Sequence, residues 1–313
     1  MKGLIDYKRK CICICREMEQ IIIRKPGWLR VRVPSGENYT KVKQSLRSLD
    51  LHTVCEEARC PNVSECWGAG TATIMIMGNI CSRRCRFCAV DSGKPLLLDS
   101  DEPERVAIAI KEWGLRYVVI TSVCRDDLMD GGAEHIAKTI KAIKRSSPNI
   151  IVESLIPDFR GNEYSIKKVI ESKPEVISHN IETVIRLTPK VRDARASYEQ
   201  SLLVLKKIKN IDLTIYTKSS LMLGLGENEE EVIQTIKDLR SVGVNILTIG
   251  QYLQPNSKCL PVVEYITPEK FNWLRKIAEQ MEFIYVASGP LVRSSYRAGE
   301  FFLQNIVTKD KRI

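Results

Sequence analysis

From residue 71 onwards, short apolar runs alternate with amphipathic runs, and the apolar runs predict six strands and a shorter seventh. Most of these runs are almost continuously apolar, which is typical of parallel strands covered on both faces. The predicted strands cover residues 73–77, 117–121, 150–155, 175–178, 213–217, 245–249 and 283–286.

The runs between the strands predict helices, and the helix over residues 228–242 has the clearest ends. Asn228 can cap its first turn, and Glu231 completes a capping box. Gly243 ends it, and another helix is predicted over 101–113. Strand and helix alternate six times, which predicts an α/β fold with a parallel sheet, as a partial barrel or a doubly wound sheet. In either case, ligands bind at the carboxyl ends of the strands.

Composition narrows the class of protein. The chain has 313 residues, of which 44% are hydrophobic and 27% charged, which argues against disorder, collagen and coiled coil. Charged residues interrupt every apolar run near the N-terminus, so neither a secretory signal nor a membrane span is predicted. We therefore predict a cytoplasmic location. The net charge of +10 favours an acidic partner, either a nucleic acid or an acidic protein domain.

Cysteine is the unusual residue, with eleven copies against three histidines. The first predicted strand leads into Cys81, Cys85 and Cys88, spaced C-x3-C-x2-C. A zinc site would need a fourth ligand nearby, and no Cys or His follows before Cys124. Three thiolates on a four-iron cluster leave one iron open to a small molecule. This loop is therefore interpreted as an iron–sulfur site.

A second set, Cys55, Cys60 and Cys66, has the spacing C-x4-C-x5-C. On spacing alone it is a zinc knuckle, a group of core thiols, or a cluster site whose fourth ligand lies elsewhere in the chain. Near the N-terminus, Cys11, Cys13 and Cys15 alternate along the chain and receive no role.

The loop from Cys81 to Cys88, with Phe87 before its last cysteine, resembles the signature of the radical S-adenosylmethionine (SAM) superfamily. The second cysteine set, followed by Trp67, is similar to the N-terminal motif of the lipoyl synthases. The similarity spans roughly residues 27 to 300 in the family's order. Matching segments include Pro34-Ser35-Gly36, residues 121–132, 179–184, 217–219, 224–227 and 248–255, and Arg293-Ser294-Ser295-Tyr296.

The resemblance implies a partial (β/α)6 TIM-like barrel of the radical SAM type over residues 71–288. An N-terminal extension, 1–70, would carry the second cysteine set, and a C-terminal extension, 289–313, the Arg-Ser-Ser-Tyr motif. The implied reaction is the radical-mediated insertion of two sulfur atoms at C6 and C8 of a protein-bound octanoyl-lysine. It uses two molecules of SAM.

The resemblance also implies two [4Fe–4S] clusters. Cys81, Cys85 and Cys88 would hold the SAM-binding cluster. The auxiliary cluster, consumed as the sulfur source, would be held by Cys55, Cys60, Cys66 and Ser295, which form the predicted catalytic set. Serine oxygen is a harder and weaker iron ligand than thiolate, so it suits a cluster that must be dismantled.

The resemblance also implies contacts between SAM and residues outside the cysteine loop. Gly131 and Gly132 resemble a glycine-rich turn whose backbone approaches the methionine moiety. Asn180 and Glu182 could bind the ribose or the amino group. Lys218 would neutralise the carboxylate or lie at the surface. Residues 125–127, Arg-Asp-Asp, are either part of the site or a solvated loop.

The implied partners are octanoylated lipoyl carrier domains, from glycine cleavage H protein or 2-oxoacid dehydrogenase E2. A reduced ferredoxin or flavodoxin and an iron–sulfur carrier would also be needed, with no membrane and no nucleic acid. Alternatives are a tRNA methylthiotransferase, a zinc-binding scaffold and a simple electron carrier. Cys124 and Cys259 depart from the family's usual Asp and His, and they have no predicted role.

Overall fold

An eight-stranded, mostly parallel sheet organises the chain in a computed structural model that describes residues 24–31, 36–68 and 73–296. Cys11, Cys13 and Cys15 lie outside the described residues. The strands are β1 His52–Thr53, β2 Thr73–Ile76, β3 Ile80–Cys81, β4 Asp91–Ser92, β5 Tyr117–Ser122, β6 Ile151–Leu155, β7 Val176–Ser178, β8 Tyr216–Leu223, β9 Ile246–Gln251 and β10 Tyr285–Gly289.

The helices lie between these strands. They are α1 Glu37–Ser48, α2 Val54–Glu57, α3 Val63–Gly68, α4 Glu102–Trp113, α5 Ala133–Ser146, α6 Glu163–Ile170, α7 Thr188–Val191, α8 Tyr198–Ile211, α9 Glu229–Ser241 and α10 Pro268–Gln280. Short 3-10 turns occupy Gly27–Leu29, Phe159–Gly161 and Ile185–Leu187. Among the described residues, no helix has the length and apolar character needed to cross a membrane.

The strand order is β1-β2-β5-β6-β7-β8-β9-β10, and every pair is parallel except β1 with β2. Helices α4, α5, α6, α8, α9 and α10 each follow one of the strands from β2 to β9, so the six predicted βα units are present. Parallel neighbours need such crossovers, and right-handed crossovers place the helices on one face of a curving sheet. The predicted partial barrel is confirmed, with β10 as an additional parallel strand.

The strand predictions agree with the structure within three residues at each end, except for the fifth. That prediction, 213–217, is wrong because β8 runs from Tyr216 to Leu223. Asp212 forms a turn by accepting hydrogen bonds from the backbone and hydroxyl of Thr214, and Leu213 is 80% exposed. The middle of β8 is polar but buried, which hides it from a search for apolar runs.

Helix α9 has the ends that its sequence predicts. The Asn228 side chain accepts from the Glu231 backbone, and the Glu231 side chain accepts from the Asn228 backbone. Gly243, just beyond the helix, takes a φ of +84°, which favours glycine.

The N-terminal extension is anchored to the barrel by its own apolar side chains. Trp67 is fully buried, and its ring lies 5.0 Å from that of Tyr39. Val42 and Leu46 of α1 join the same hydrophobic cluster, which includes residues of β2, β5 and α4. This packing fixes α2 and α3, and therefore the second cysteine set, against the start of β2.

Candidate active site

One cavity of about 480 Å³ receives side chains from both cysteine sets. Cys81, Cys85 and Cys88 line it beyond the carboxyl end of β2. Cys55, Cys60 and Ser295 line it near Thr73, at the start of the same strand. Cys66 on α3 is half-buried against the hydrophobic cluster that contains Trp67, and it is outside the cavity wall. Five of the six predicted cysteine ligands and the predicted serine therefore share one space.

The loop from Cys81 to Cys88 is called the first loop. Backbone N–H groups point at its sulfur atoms. Arg83 and Cys124 each donate to Cys81 Sγ over 3.4 Å, and Asp193 donates to Cys85 Sγ over 3.4 Å. Such donors favour the negative charge of a thiolate and tune a cluster bound to it.

Cys124 and Cys259, the two cysteines without a predicted role among the described residues, are both next to this loop. A hydrogen bond from the Cys124 thiol outweighs burial and lowers the pKa of Cys81 to about 6. The Cys259 thiol donates to the Cys88 carbonyl over 3.4 Å. Burial raises the pKa of Cys88 to about 12 and also raises that of Cys85. Binding of metal at these buried thiols must therefore release protons.

A buried ion-pair cluster fastens the first loop to the barrel. The Arg83 guanidinium donates to both carboxylate oxygens of Asp126 and of Asp158, over 2.6–2.9 Å. Burial alone would raise the pKa of Asp158, but the hydrogen bonds and charge of Arg83 hold it at about 2. The interpretation of residues 125–127 as a solvated loop is wrong for Asp126, whose side chain is 8% exposed.

The second cysteine set is held by local backbone hydrogen bonds. Thr53 caps α2 by accepting from the Glu56 backbone over 3.3 Å, and the Cys60 backbone donates to the Cys55 carbonyl over 3.0 Å. Burial raises the pKa of Cys55 to about 11, and it raises that of Cys60 too, although the neighbouring Arg293 charge opposes it.

The segment 291–296 brings Ser295 to this set from the far end of the chain. Asn62 Nδ2 donates to the Leu291 carbonyl over 2.7 Å, and Thr73 Oγ1 donates to Ser295 Oγ over 2.8 Å. At Gly250 in β9, a Cβ would lie 2.0 Å from the Val292 carbonyl oxygen, so only glycine lets the segment pass this close.

Buried polar atoms without hydrogen-bond partners lie beside the first loop, on side chains with other atoms that are bonded: Arg192 Nη1 donates to Ser201 Oγ over 2.6 Å. Asn180 Nδ2 donates to Glu182 Oε1 over 3.1 Å, but Asn180 Oδ1 and Arg192 Nε are buried without a hydrogen-bond partner. The side chains of Asn180, Glu182 and Arg192 line the cavity. Buried polar atoms without partners are costly, so they indicate a polar ligand at this place. Arg192 was not singled out in the sequence, where it is one of many arginines.

Three predicted SAM contacts lie outside the cavity wall. Lys218 is buried and donates to both carboxylate oxygens of Glu153, over 2.8 and 2.9 Å, so it neither faces solvent nor reaches the cavity. Gly131 and Gly132 begin α5 with positive φ. A Cβ would lie 2.9 Å from the Phe159 ring at Gly131 and 2.4 Å from Met77 Sδ at Gly132. Only glycine fits these two closely packed positions, and the approach of their backbone to SAM stays a prediction.

His179, in the cavity wall, is a buried histidine whose pKa makes the stability of the protein depend on pH. Its Nδ1 lies 2.9 Å from the Ile156 carbonyl and its Nε2 3.1 Å from Ser201 Oγ. Burial, assisted by the Arg192 charge, lowers its pKa from 6.5 to about 4. The unfolded chain therefore binds a proton at a higher pH than the folded one. We expect the stability to fall by about 1 kcal/mol from about pH 7.5 to pH 5.5.

Urea unfolding across this pH range checks the expectation. A His179→Asn variant keeps a donor of similar size and cannot titrate, so its stability should vary less by that amount. Equal pH slopes in the two proteins would show that His179 is not the group responsible.

The donor set fits iron–sulfur clusters. Among the described residues, no three His, Cys, Asp or Glu side chains are grouped to hold a single metal ion. Thiolates are the usual protein ligands of iron–sulfur clusters, and the cavity wall presents five cysteines of the two sets together with the orphaned polar atoms beside the first loop.

Two family models match this chain. Residues 75–239 match the model of the radical SAM superfamily, and residues 7–60 match that of the N-terminal domain of lipoyl synthase. Together the matches include both cysteine sets except Cys66.

Curated relatives extend the similarity over most of the chain. Mitochondrial lipoyl synthase of Homo sapiens is 56% identical over 295 residues, which is 92% of this chain and 79% of the relative. Lipoyl synthase of Myxococcus xanthus is 56% identical over 92% of this chain and 97% of its own length. The apicoplast enzyme of Plasmodium yoelii yoelii is 53% identical over 98% of this chain and 61% of its own.

Solved structures show the same fold at low sequence identity. Methylornithine synthase has a TM-score of 0.52 and 13% identity, with 83% of this chain and 88% of that chain covered. Streptococcus suis SuiB bound to S-adenosylmethionine has a TM-score of 0.54 and 11% identity, with 81% and 56% covered.

The prediction of a cytoplasmic location is contradicted by these comparisons. The human relative is named mitochondrial and the Plasmodium relative apicoplast, and both names denote organelles. The prediction relied on the absence of an apolar signal near the N-terminus, but mitochondrial targeting segments are amphipathic and contain no such signal.

Proposed function

Because this chain belongs to the lipoyl synthase family of the radical SAM superfamily, we propose that its cavity is the place where both halves of the family's reaction occur. That reaction inserts two sulfur atoms at C6 and C8 of a protein-bound octanoyl-lysine, using two molecules of SAM. The observation that carries the proposal is one cavity lined by five of the six cysteines of the two sets and by Ser295.

The first loop holds the [4Fe–4S] cluster that the superfamily implies, through Cys81, Cys85 and Cys88. Bound by these three thiolates, the cluster would keep one iron open to SAM and would supply the electron for the cleavage of SAM. Arg83 and Asp158 hold the loop on the barrel, and the backbone N–H groups of Cys124 and Asp193 stabilise the thiolates.

The orphaned polar groups beside the loop position SAM. The Arg192 guanidinium neutralises the methionine carboxylate, the role that the sequence suggested for Lys218. Asn180 and Glu182 bind the amino group or the ribose. Support comes from the unpartnered Asn180 Oδ1 and Arg192 Nε, both of which border the cavity.

The second set holds the auxiliary [4Fe–4S] cluster, through Cys55, Cys60, Cys66 and Ser295. Ser295 is supported by its place in the same cavity wall as Cys55 and Cys60 and by the hydrogen bond from Thr73. Cys66 is supported only by its position on α3, where its backbone donates to the Asn62 carbonyl over 2.9 Å. On this proposal, residues 1–70 and 289–313 supply the ligands of the auxiliary cluster, and residues 71–288 supply the SAM-binding site.

The octanoyl chain lies between the two sets. Met75, Leu221 and Met222 line the interior of the cavity and present an apolar surface suited to an alkyl chain. The start and the end of β2 are about 10 Å apart, at a rise of roughly 3.3 Å per residue. One extended octanoyl chain can therefore reach the cysteine sets at both ends of β2.

The octanoyl group is attached to a lipoyl carrier protein, as family membership implies. We assign the finer partners by chemistry: an octanoylated H protein or E2 domain, a reduced ferredoxin or flavodoxin, and an iron–sulfur carrier that rebuilds the auxiliary cluster. The net charge of +10 supports acidic proteins in these roles.

The test is an anaerobic incubation of the reconstituted enzyme with SAM, a reductant and a peptide containing octanoyl-lysine. We expect a product with two added sulfurs and two molecules of 5′-deoxyadenosine for each product formed. Two clusters should give about eight irons per chain. A colourless zinc protein, or cleavage of SAM without sulfur transfer, would overturn the proposal.

A further inference from the structure

The opening of the cavity is bordered by exposed cations. Lys25, Arg59, Ser92 and Gln254 are exposed residues that also line the cavity, so they mark where it meets solvent. Two of these four are basic. The carrier's lysine arm must enter here, because the octanoyl group is attached to a protein too large for a cavity of about 480 Å³.

Further exposed cations are tied to this edge by backbone contacts. Gln254 Nε2 donates to the Cys259 carbonyl over 2.9 Å, which places the exposed Lys258 beside the opening. The next residue, Leu260, donates its backbone N–H to the Arg86 carbonyl over 2.9 Å. Arg86 in turn lies against the Lys190 carbonyl, with Nη1 at 3.5 Å. We call the set Lys25, Arg59, Arg86, Lys190 and Lys258 the basic rim.

The basic rim lacks internal neutralisation. Among the described residues, none of its five side chains forms an ion pair. Two nearby carboxylates are engaged elsewhere: Glu56 pairs with Arg47, and Asp193 pairs with Arg195. Glu57 lies 3.5 Å from the His52 imidazole, which is charged only when protonated. Asp91, next to Ser92, is also exposed, but even with Asp91 and Glu57 counted as anions the five cations of the rim remain in excess.

Uncompensated charge around a substrate opening raises the rate of encounter with a partner of opposite charge. We propose that the basic rim is the docking surface for the carrier protein, and that the carrier presents acidic residues around its octanoyl-lysine. This inference rests on the proposed function, since it concerns the same opening. A carrier seated on the rim would direct its lysine arm past Arg59 and Gln254 into the cavity.

The test compares two double variants that remove the same charge. Lys190→Glu with Lys258→Glu reverses two of the five rim charges, whereas Lys206→Glu with Lys237→Glu reverses two exposed, unpaired lysines on α8 and α9. Each is assayed with an intact octanoylated carrier domain of acidic surface and with a short neutral octanoyl-lysine peptide.

For the rim variant, we expect KM for the intact carrier to rise by about ten-fold at low salt, with kcat and the values for the peptide unchanged, since rim charges act mainly on encounter. The difference should shrink as salt is added, because exposed charges are screened. The α8 and α9 variant should match the wild type. Neutralising the acidic residues of the carrier should abolish the difference between the enzymes.

An unchanged KM for the intact carrier in the rim variant would overturn the inference. So would retention of the wild type on RNA together with competition between RNA and the carrier, because the rim would then be a nucleic-acid surface. Failure of the wild type to convert the peptide would instead overturn the proposed function. Direct measurement of carrier binding by the two variants separates these cases, since it needs no turnover.

Discussion

A Ser295→Ala enzyme is expected to cleave SAM at a near-normal rate but to lose sulfur insertion by more than about 100-fold, since even the loss of an outer partner of a metal ligand costs about 10- to 100-fold. Ser295 faces the cavity beside Cys55 and Cys60, whereas the proposed SAM site lies beyond the other end of β2. The two activities should therefore separate.

Iron content gives the second readout for this variant. Loss of the auxiliary site should lower the iron from about eight to about four per chain, and Cys60→Ala should do the same. A Ser295→Cys variant replaces a hard oxygen with a softer thiolate. It should retain about eight irons and still insert sulfur slowly, because the iron is released less readily.

Ser294→Ala is the matched control, since Ser294 is the adjacent residue and also lines the cavity. It should retain iron and sulfur insertion. If Ser294→Ala lost the auxiliary iron while Ser295→Ala kept it, the assignment of the serine ligand would be off by one position.

An Asp158→Asn enzyme is expected to lose the first cluster and with it the cleavage of SAM. Asp158 is fully buried and shares the Arg83 guanidinium with Asp126. The substitution leaves Arg83 paired with Asp126, but it replaces an acceptor oxygen with an amide NH2 that faces an Arg83 donor, and losing a buried hydrogen bond to a charged group costs about 1.5–3 kcal/mol. Arg83 lies between Cys81 and Cys85, so the loop that carries the ligands bears this cost directly.

Anaerobic iron analysis and the yield of 5′-deoxyadenosine measure this effect. We expect about four irons to remain, held by the second set, and deoxyadenosine to fall by at least about ten-fold. Glu104→Gln provides the control, since it breaks the exposed pair with Arg145, and exposed pairs contribute less than about 1 kcal/mol. Full iron in Asp158→Asn would mean that the loop does not need this ion pair.

Much of the fold could be predicted because its signals are local. The capping box of α9 depends on residues three apart, and most strands show as apolar runs bounded by turns. The range of β8 was predicted wrongly because barrel strands can bury polar side chains when these pair with each other inside the barrel. Lys218 satisfies Glu153 in the interior, and the resulting polar pattern resembles an exposed segment.

The cysteine ligands were also within reach of the sequence, because a loop that wraps a cluster needs its thiols at short, fixed spacings. The family resemblance added Ser295, which no spacing could connect to cysteines more than two hundred residues away. The contacts with SAM were less accessible. Lys218 and Arg192 are both basic residues of the barrel, and only their surroundings distinguish the Lys218–Glu153 ion pair from Arg192, whose Nη1 donates to Ser201 while its Nε has no hydrogen-bond partner.

By itself, then, the amino-acid sequence determined the family, the βα alternation and the two cysteine sets, since each depends on residues close together in the chain or on a pattern shared with relatives. The tertiary structure alone decided which distant groups meet. It brought Arg83 to Asp158, Cys124 to Cys81 and Thr73 to Ser295, and it placed the basic rim around one opening. Such contacts arise from the curvature of the sheet and from the paths of the two extensions, which bring together groups that the linear sequence leaves far apart.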